Sequence, residues 1–506
     1  PYNPNDEYHD TDNPYNSNGY YSSVTSTGRL YIPDSSFIRG DHEYEFLHPA
    51  GEFSSWNTRA DGLGTTCSPG SLISVTSNVT LYAIWSPNQY TLTLVDDVKD
   101  TVSIDVYYGS TLSTGPLNYT KSGYTHVGWS TEPLLTGTIT INNTNYTVYK
   151  LDSGAEFYPL DIVYDKTEDI TLYPVYALNR NLNSSSGETK INGNGYLYVT
   201  YTGDKESGRT LVIENGAPSV ILEDVKMTST DPSRSPISVS SGATLHLTLW
   251  GTNTLEGYTG SALFFGSASG TAAVRVQANA TLVITEYSTG SLDAKGGGAS
   301  SYTLGGGSYA ASGIGSNGGK TVPACGEIII KGGTVVATGG SATGASTGSN
   351  NMDPGSGIGG PGAEITLEGG VVEVASGSYQ GSLKGEVTSL EGDVEYGDDV
   401  VVVQHNGQDL SEEVAVVEFT GLSSAVAMQS ISINGVSFPL SGQLFGPQSS
   451  GGISSMTLPL DSIEDGYSFV LVATNGGNIY TGTAVLDTNA QGGVKYTVAL
   501  TPARGP

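Results

Sequence analysis

Asp10-Thr11-Asp12-Asn13, with Asn16, Asn18 and Gly19 close behind, gathers side-chain oxygens on a turn that glycine permits. Hard oxygens clustered in this way suit Ca2+, which takes about six to eight of them. Asp10, Asp12, Asn16 and Asn18 are therefore the metal candidates, and Ca2+ the one cofactor expected, although their spacing is not that of an EF-hand. A second set of acids, Glu223, Asp224, Glu256, Glu286, Asp293, Glu327, Glu364 and Glu373, raises glycoside hydrolysis. That chemistry needs two carboxylates facing each other across a cleft. A calcium-assisted lyase would also want a basic residue near the acids, and Arg209, Arg234, Arg275 and Lys295 are scattered. Glu327 and Glu364 each open the same short unit, 37 residues apart (364 − 327), so they read better as equivalent positions of a repeat. The expectation is no enzyme. The six histidines fall in no metal-like spacing, and Gly305-Gly306-Gly307 lacks the Lys-Ser/Thr and helix of a phosphate loop. Cys67 and Cys325 have no zinc-site partners and read as small buried fillers rather than a disulfide.

The elements that carry these residues are strands. The chain has 506 residues, 69 of them Gly and 31 Tyr, with only 14% charged. Alternating β-branched and aromatic runs, separated by Gly, Asn and Asp, point to an all-β protein. The 20 basic and 50 acidic residues leave a net charge of −30. Nucleic-acid phosphates and anionic membrane surfaces demand the opposite sign, so neither is an expected partner. No stretch reads as a transmembrane span, so no membrane insertion is expected in this segment.

One phrase occurs twice. Phe53-Ser54-Ser55-Trp56-Asn57-Thr58 with Thr80-Leu81-Tyr82-Ala83-Ile84-Trp85 returns as Tyr124-Thr125-His126-Val127-Gly128-Trp129-Ser130-Thr131 with Thr171-Leu172-Tyr173-Pro174-Val175-Tyr176. Doubling of this kind marks tandem modules. The stretch from Trp56 through Asp61-Gly62 to Trp85 resembles the Listeria–Bacteroides, or internalin B-type, repeat. The resemblance implies small β-grasp-like modules of a bacterial surface protein, here 29–86 and 88–178. The second copy carries an insertion around Leu134–Leu160. Trp56, Tyr82, Trp85, Trp129 and Tyr173 read as core. Residues 1–28, rich in Asn, Asp, Pro and Tyr, form a tail or donor segment. Arg39-Gly40-Asp41 resembles an integrin-binding tripeptide, which is too short to carry an expectation.

Residues 179–190 read as a flexible linker. From 191 to 396 short strands recur with Gly-Gly corners, and Ser312-Gly313-Ile314-Gly315 matches Ser356-Gly357-Ile358-Gly359. Stacked equivalents with tight corners are what a parallel β-helix requires. Val220–Ser229, Gly251–Leu255 and the units at Glu327 and Glu364 resemble the right-handed β-helix of bacterial carbohydrate-binding domains, which implies a flat face for polysaccharide. Residues 397–506 alternate as a β-sandwich. Their last strand is similar to that of fimbrillin-like domains. The expected protein is an extracellular bacterial surface adhesin whose β-helix meets glycan or another host or cell-surface ligand. The alternatives are a structural subunit of a pilus, filament or surface layer that pairs with its own copies, and third a β-helix polysaccharide lyase or hydrolase.

Overall fold

The structure, a computed structural model, describes residues 20–23, 28–32, 36–39, 42–45 and then 51–503, except 60–61, 76–78, 96–100, 109, 113–118, 161, 165, 183–186, 201–208, 263–265, 303–305, 345–350, 381, 384–388, 406–413, 425, 434–435, 440–443, 446–454, 460–462, 464, 474–477 and 488–493. Every regular element among them is a strand. The chain divides into two compact units, 1–119 with 127–134 and 151–175, and 120–126 with 135–150 and 176–506.

In the first unit the doubled phrase shows its physical meaning. Trp56 and Trp129 are fully buried, each at the centre of a small apolar cluster. The residue after each tryptophan organises the loop that follows. Asn57 is buried, donates to the Gly62 carbonyl at 2.9 Å and accepts from the amides of Arg59 at 3.0 Å and Gly64 at 2.9 Å. In the second copy Ser130 is buried and accepts from the Glu132 amide at 3.2 Å. The threonines that come next act alike: Thr58 accepts from Thr65 N at 2.8 Å, and Thr131 from Glu156 N at 3.0 Å. Asn57→Ala leaves buried backbone groups without partners, and it is expected to cost ~2–4 kcal/mol in the urea unfolding of this unit.

The expected core needs one correction. Tyr82 and Tyr173 are half-buried, because strand side chains alternate and Leu81, Ala83 and Leu172 hold the inward positions. Trp85 is also half-buried, against Phe53 at 5.8 Å. Cys67 is a free thiol within the first copy's core, and Cys325 is likewise buried and free.

Of the insertion in the second copy, Leu135–Lys150 belongs to the other unit. It forms a hairpin, Leu135–Ile141 with Thr144–Lys150, closed by Asn142 and Asn143 with φ of 48° and 64°. Two left-handed residues are what a tight hairpin turn needs, and asparagine tolerates them best after glycine. Asn142 also accepts from Lys190 N at 2.8 Å, tying the turn to the strand Gly187–Asn192.

That strand begins a parallel stack. Gly187–Asn192, Arg209–Asn215, Ile237–Val239, Val274–Val276, Ile314–Gly315 and Ile358–Ala375 form one ladder. Tyr196–Thr200, Ser219–Glu223, Thr244–Trp250, Thr281–Ile284 and Glu327–Ile330 form a second. Lys226–Thr228, Thr252–Glu256, Ser291–Lys295 and Thr334–Thr338 form a third. Glu327 is in register with Glu364 and Ile314 with Ile358, so both pairs of matching units are neighbours across a parallel ladder. Inward residues make aliphatic columns such as Leu211, Ile237, Val274, Ile314, Ile358 and Leu390, all buried. Where the second ladder turns into the third, Gly333 and Gly370 take φ of 77° and 83°, which glycine adopts without strain.

The coils that follow Thr252–Glu256 also carry a side lobe of two short ladders, one through Gly260–Ala262, Ala299–Ser301 and Ala342–Gly344, the other through Ala268–Ser269, Ser308–Tyr309 and Asn351–Asp353. Its core is alanines and Met352. A waist separates this lobe from the main one. There the outgoing and returning limbs hydrogen-bond in alternation: Thr271 N to Tyr258 O, Gly297 N to Thr271 O, Ala311 N to Gly297 O, Gly340 N to Ala311 O, Gly355 N to Gly340 O and Gly377 N to Gly355 O, all at 2.8–3.0 Å. Much of the glycine expected at corners serves this waist, where a Cβ on Gly297 would stand 1.8 Å from Tyr258 O.

Two expected boundaries are corrected by the pairing. The segment 179–190 contains strand at both ends: Leu178 to Asn181 pair in parallel with Leu197 to Thr200, and Gly187–Asn192 joins the stack. The boundary at 396/397 falls inside Leu390–His405, which stays paired with Ile358–Ala375 as far as Ala375↔His405. This strand serves two cores. Val400 and Val402 point into the stack, whereas Val401 joins the C-terminal core of Phe419, Phe445 and Phe469. That C-terminal part contains the strands Val414–Thr420, Val426–Ile433, Ser468–Ala473, Ile479–Leu486 and Val494–Ala499. Ile479–Leu486 links its sheets by pairing with both Ser468–Ala473 and Val494–Ala499.

Candidate binding face

The second ladder of the stack presents a flat outer face. Side chains that alternate with the buried aliphatic columns stand outward and repeat every ~4.8 Å from strand to strand. At its start these are Tyr196, Tyr198, Glu223, His246 and Trp250. At its far end they are acids, with Glu327, Glu364 and Asp393 in one column. Thr281 donates to Glu327 at 2.9 Å.

The aromatic end is the more organised. The Tyr198 and Trp250 rings meet edge to face at 6.0 Å, and both residues are half-exposed. The Tyr198 hydroxyl donates to the Glu223 carboxylate. Burial, and then that bond, pushes the Tyr198 phenol up, so it remains a donor at neutral pH. Burial raises the Tyr196 phenol too, with Tyr287 adding to it. His246 is held below its ordinary value by burial, partly opposed by Glu286, and is neutral at pH 7. Ile221 also alternates outward, in register with Tyr198, yet is only 3% exposed.

The corner beside this patch is rigid. Asp224, with φ of 52°, accepts from Thr252 N at 2.9 Å. Buried Asn253 accepts from Val225 N at 3.0 Å and donates to Trp250 O at 2.9 Å and Ser291 O at 3.1 Å, which fixes the end of the strand that bears Trp250. A half-exposed aromatic pair on a hydrogen-bonded backbone, with a carboxylate at its rim, can stack on the apolar face of a sugar ring and accept its hydroxyls.

The acids singled out by sequence do not meet at one place, although Asp293 lies near Glu256 and Glu373: burial raises its carboxyl, Lys295 opposes this, and those two acids add to it. Glu223 is bonded to Tyr198 and Asp224 to its own corner, while Glu256 pairs with Lys295 at 3.4 Å. Asp293 and Glu373 lie on the third ladder, and Glu286 is exposed beyond the second. Glu327 and Glu364 are side by side on adjacent strands of the flat face. Asp10, Asp12, Asn16 and Asn18 lie outside the described residues, as do Gly40 and Asp41. Among the described residues no three His, Cys, Asp or Glu side chains cluster so as to hold a metal. Sequence reasoning missed Tyr196, Tyr198 and Trp250. Their signal is aromatic residues at the polar positions of alternating strands, in Tyr196-Leu197-Tyr198-Val199 and Leu247-Thr248-Leu249-Trp250.

The Listeria–Bacteroides repeat domain matches residues 50–84 and 90–152, so both copies of the doubled phrase begin within repeats of this bacterial surface type. A protein of Evansella cellulosilytica described as a Gly-rich membrane protein is 37% identical over 86 residues, 17% of this chain. The chain covers about a tenth of that relative's length, 10%. No solved structure matches significantly.

Proposed function

We propose that this is an extracellular bacterial surface adhesin that binds glycan on the aromatic end of the stack. The observation that carries the reading is the Tyr198–Trp250 pair, half-exposed on a flat, hydrogen-bonded face with the Glu223 carboxylate between two aromatic residues in the ladder order. The repeat domains act as spacer, in keeping with their surface family and with a relative described as a membrane protein. The net charge of −30 favours neutral glycans over uronates or sulfated chains. What supports binding as the reading is that Glu327, Glu364 and Asp393 stand side by side along one column instead of facing one another over a cleft. Calcium enters this reading through Asp10, Asp12, Asn16 and Asn18 as oxygen donors. A glycan array probed with and without chelator tests it. Signal on neutral glycans is expected, and a blank array in both conditions overturns it.

One observation favours the filament reading as second choice. The strand Tyr20–Ser23 is the edge of a four-stranded sheet, antiparallel to Val79–Pro87. An edge strand offers unpaired backbone groups to a strand of another copy. Light scattering and negative-stain images that show only monomers remove this alternative.

A further inference from the structure

The aromatic end of the stack carries more than a stacking surface. Tyr198, Glu223 and Trp250 come from three successive strands, with Glu223 directly in register with Trp250. The two rings meet edge to face, at 6.0 Å and 62°. Such a pair uses one face of one ring, so ring faces remain for a ligand, and both residues are half-exposed. Glu223 is half-exposed and Asp224, the next residue, is exposed. Glu223 accepts from the Tyr198 hydroxyl, and Asp224 Oδ1 accepts from Thr252 N at 2.9 Å. A carboxylate has acceptor capacity beyond one such bond. The charges of both reach Tyr198, where they add to burial and the Glu223 bond in raising its phenol.

Ring faces and carboxylates share one preference. The face of an aromatic ring is electron-rich and attracts a cation within about 6 Å of its centre, tryptophan most strongly. A carboxylate accepts from a charged donor about twice as strongly as neutral groups bond to each other. A sugar hydroxyl brings no charge to either; an ammonium serves both. The net charge of −30 raises the local concentration of cations further.

We propose that the aromatic face selects hexosamine units with a free amine, the ammonium held on the Glu223 carboxylate and on a ring face of the Tyr198–Trp250 pair. Asp224 adds its charge at the rim. This assignment rests on the glycan reading of the same face and narrows its ligand class. Neutral sugars stack there, and the amine adds a charge-assisted bond.

Calorimetric titration of the full chain with chitosan tetramer, chitin tetramer and cellotetraose tests the assignment. The three share one backbone and differ in a single substituent, which is an amine, an acetamide or a hydroxyl. The buffer is held at about pH 6, below the range of an amine beside electron-withdrawing groups, about 7.7–8.0 for an α-amino group. Chitosan tetramer is expected to bind about tenfold tighter than either neutral tetramer. Glu223→Gln keeps the shape and an acceptor for Tyr198, and is expected to bring that ratio close to one. Glu364→Gln, which removes the same charge at the far end of the face, is expected to keep the ratio. Chitosan tetramer no tighter than cellotetraose overturns the amine and leaves the glycan reading standing. A tenfold advantage that survives in Glu223→Gln overturns it too, since attraction to the overall charge then accounts for it. So does an unaltered affinity for chitosan tetramer in a folded Trp250→Ala protein. Binding of none of the three overturns it, and the glycan array then decides the wider reading separately. Should Glu223→Gln fail to fold, Trp250→Ala and the comparison of the three tetramers still decide.

Discussion

Gly297→Ala is expected to destabilise the stack by at least ~3 kcal/mol, the upper range for forcing a group into a packed interior. The added Cβ would stand 1.8 Å from Tyr258 O and 2.5 Å from Tyr258 C, so the outgoing and returning limbs must part. Parting them breaks the alternating waist bonds on either side of position 297, because Gly297 both donates to Thr271 and accepts from Ala311. No flexible side chain lies in the way that could swing aside to relieve the clash. Gly340→Ala, whose Cβ would meet Gly297 O at 2.2 Å, is expected to behave alike. Gly137→Ala is the control: its nearest neighbours are side-chain atoms at 3.8 Å, and its change is expected within about 0.5 kcal/mol. Urea midpoints, read by far-UV circular dichroism, compare the three. A Gly297→Ala midpoint equal to that of Gly137→Ala would mean that the limbs do not touch as described.

The second large effect concerns the strand Leu390–His405. Val402→Asp places an unpaired charge in the aliphatic core of the stack, and Val401→Asp places one in the phenylalanine core beyond it. Each is expected to cost ~3–5 kcal/mol. The two should fail in different places, since neighbouring side chains of one strand face opposite ways. Hydrogen exchange by mass spectrometry is expected to show Val401→Asp losing protection over 414–503 and Val402→Asp losing it over 281–402. Loss of protection over both regions in both variants would show that the two cores melt as one.

What was legible in the sequence follows from period. Glu327 and Glu364 open matching units that share the Gly-Gly pair, and a repeat of that length with β-branched residues and Gly-Gly corners admits a parallel stack. Trp56 and Trp129 were legible as core because large rings must be buried in small modules. The waist was not legible. Glycine that bends a chain and glycine that lets two backbones touch are the same letter, and only the partner at 1.8 Å tells them apart. The roles of Asn57 and Ser130 were hidden for a related reason, since different side chains carry out one task. The boundaries expected at 179–190 and 396/397 do not hold, because strand pairing runs through both stretches. Parallel pairing tolerates polar residues on an outward face. The aromatic face lay in plain view as alternation, but tyrosine is so frequent in this chain, 31 residues, that Tyr196 and Tyr198 did not stand out.

The central claim is that glycan is held by the Tyr198–Trp250 face. Calorimetric titration of the neutral glycan that gives the strongest array signal, into wild type and Trp250→Ala, tests it most directly. Loss of the indole is expected to weaken binding by about thirtyfold, the ~2 kcal/mol of an aromatic hot spot, with the urea midpoint nearly unchanged because the side chain is half-exposed. An unaltered affinity in a folded Trp250→Ala protein would contradict the account.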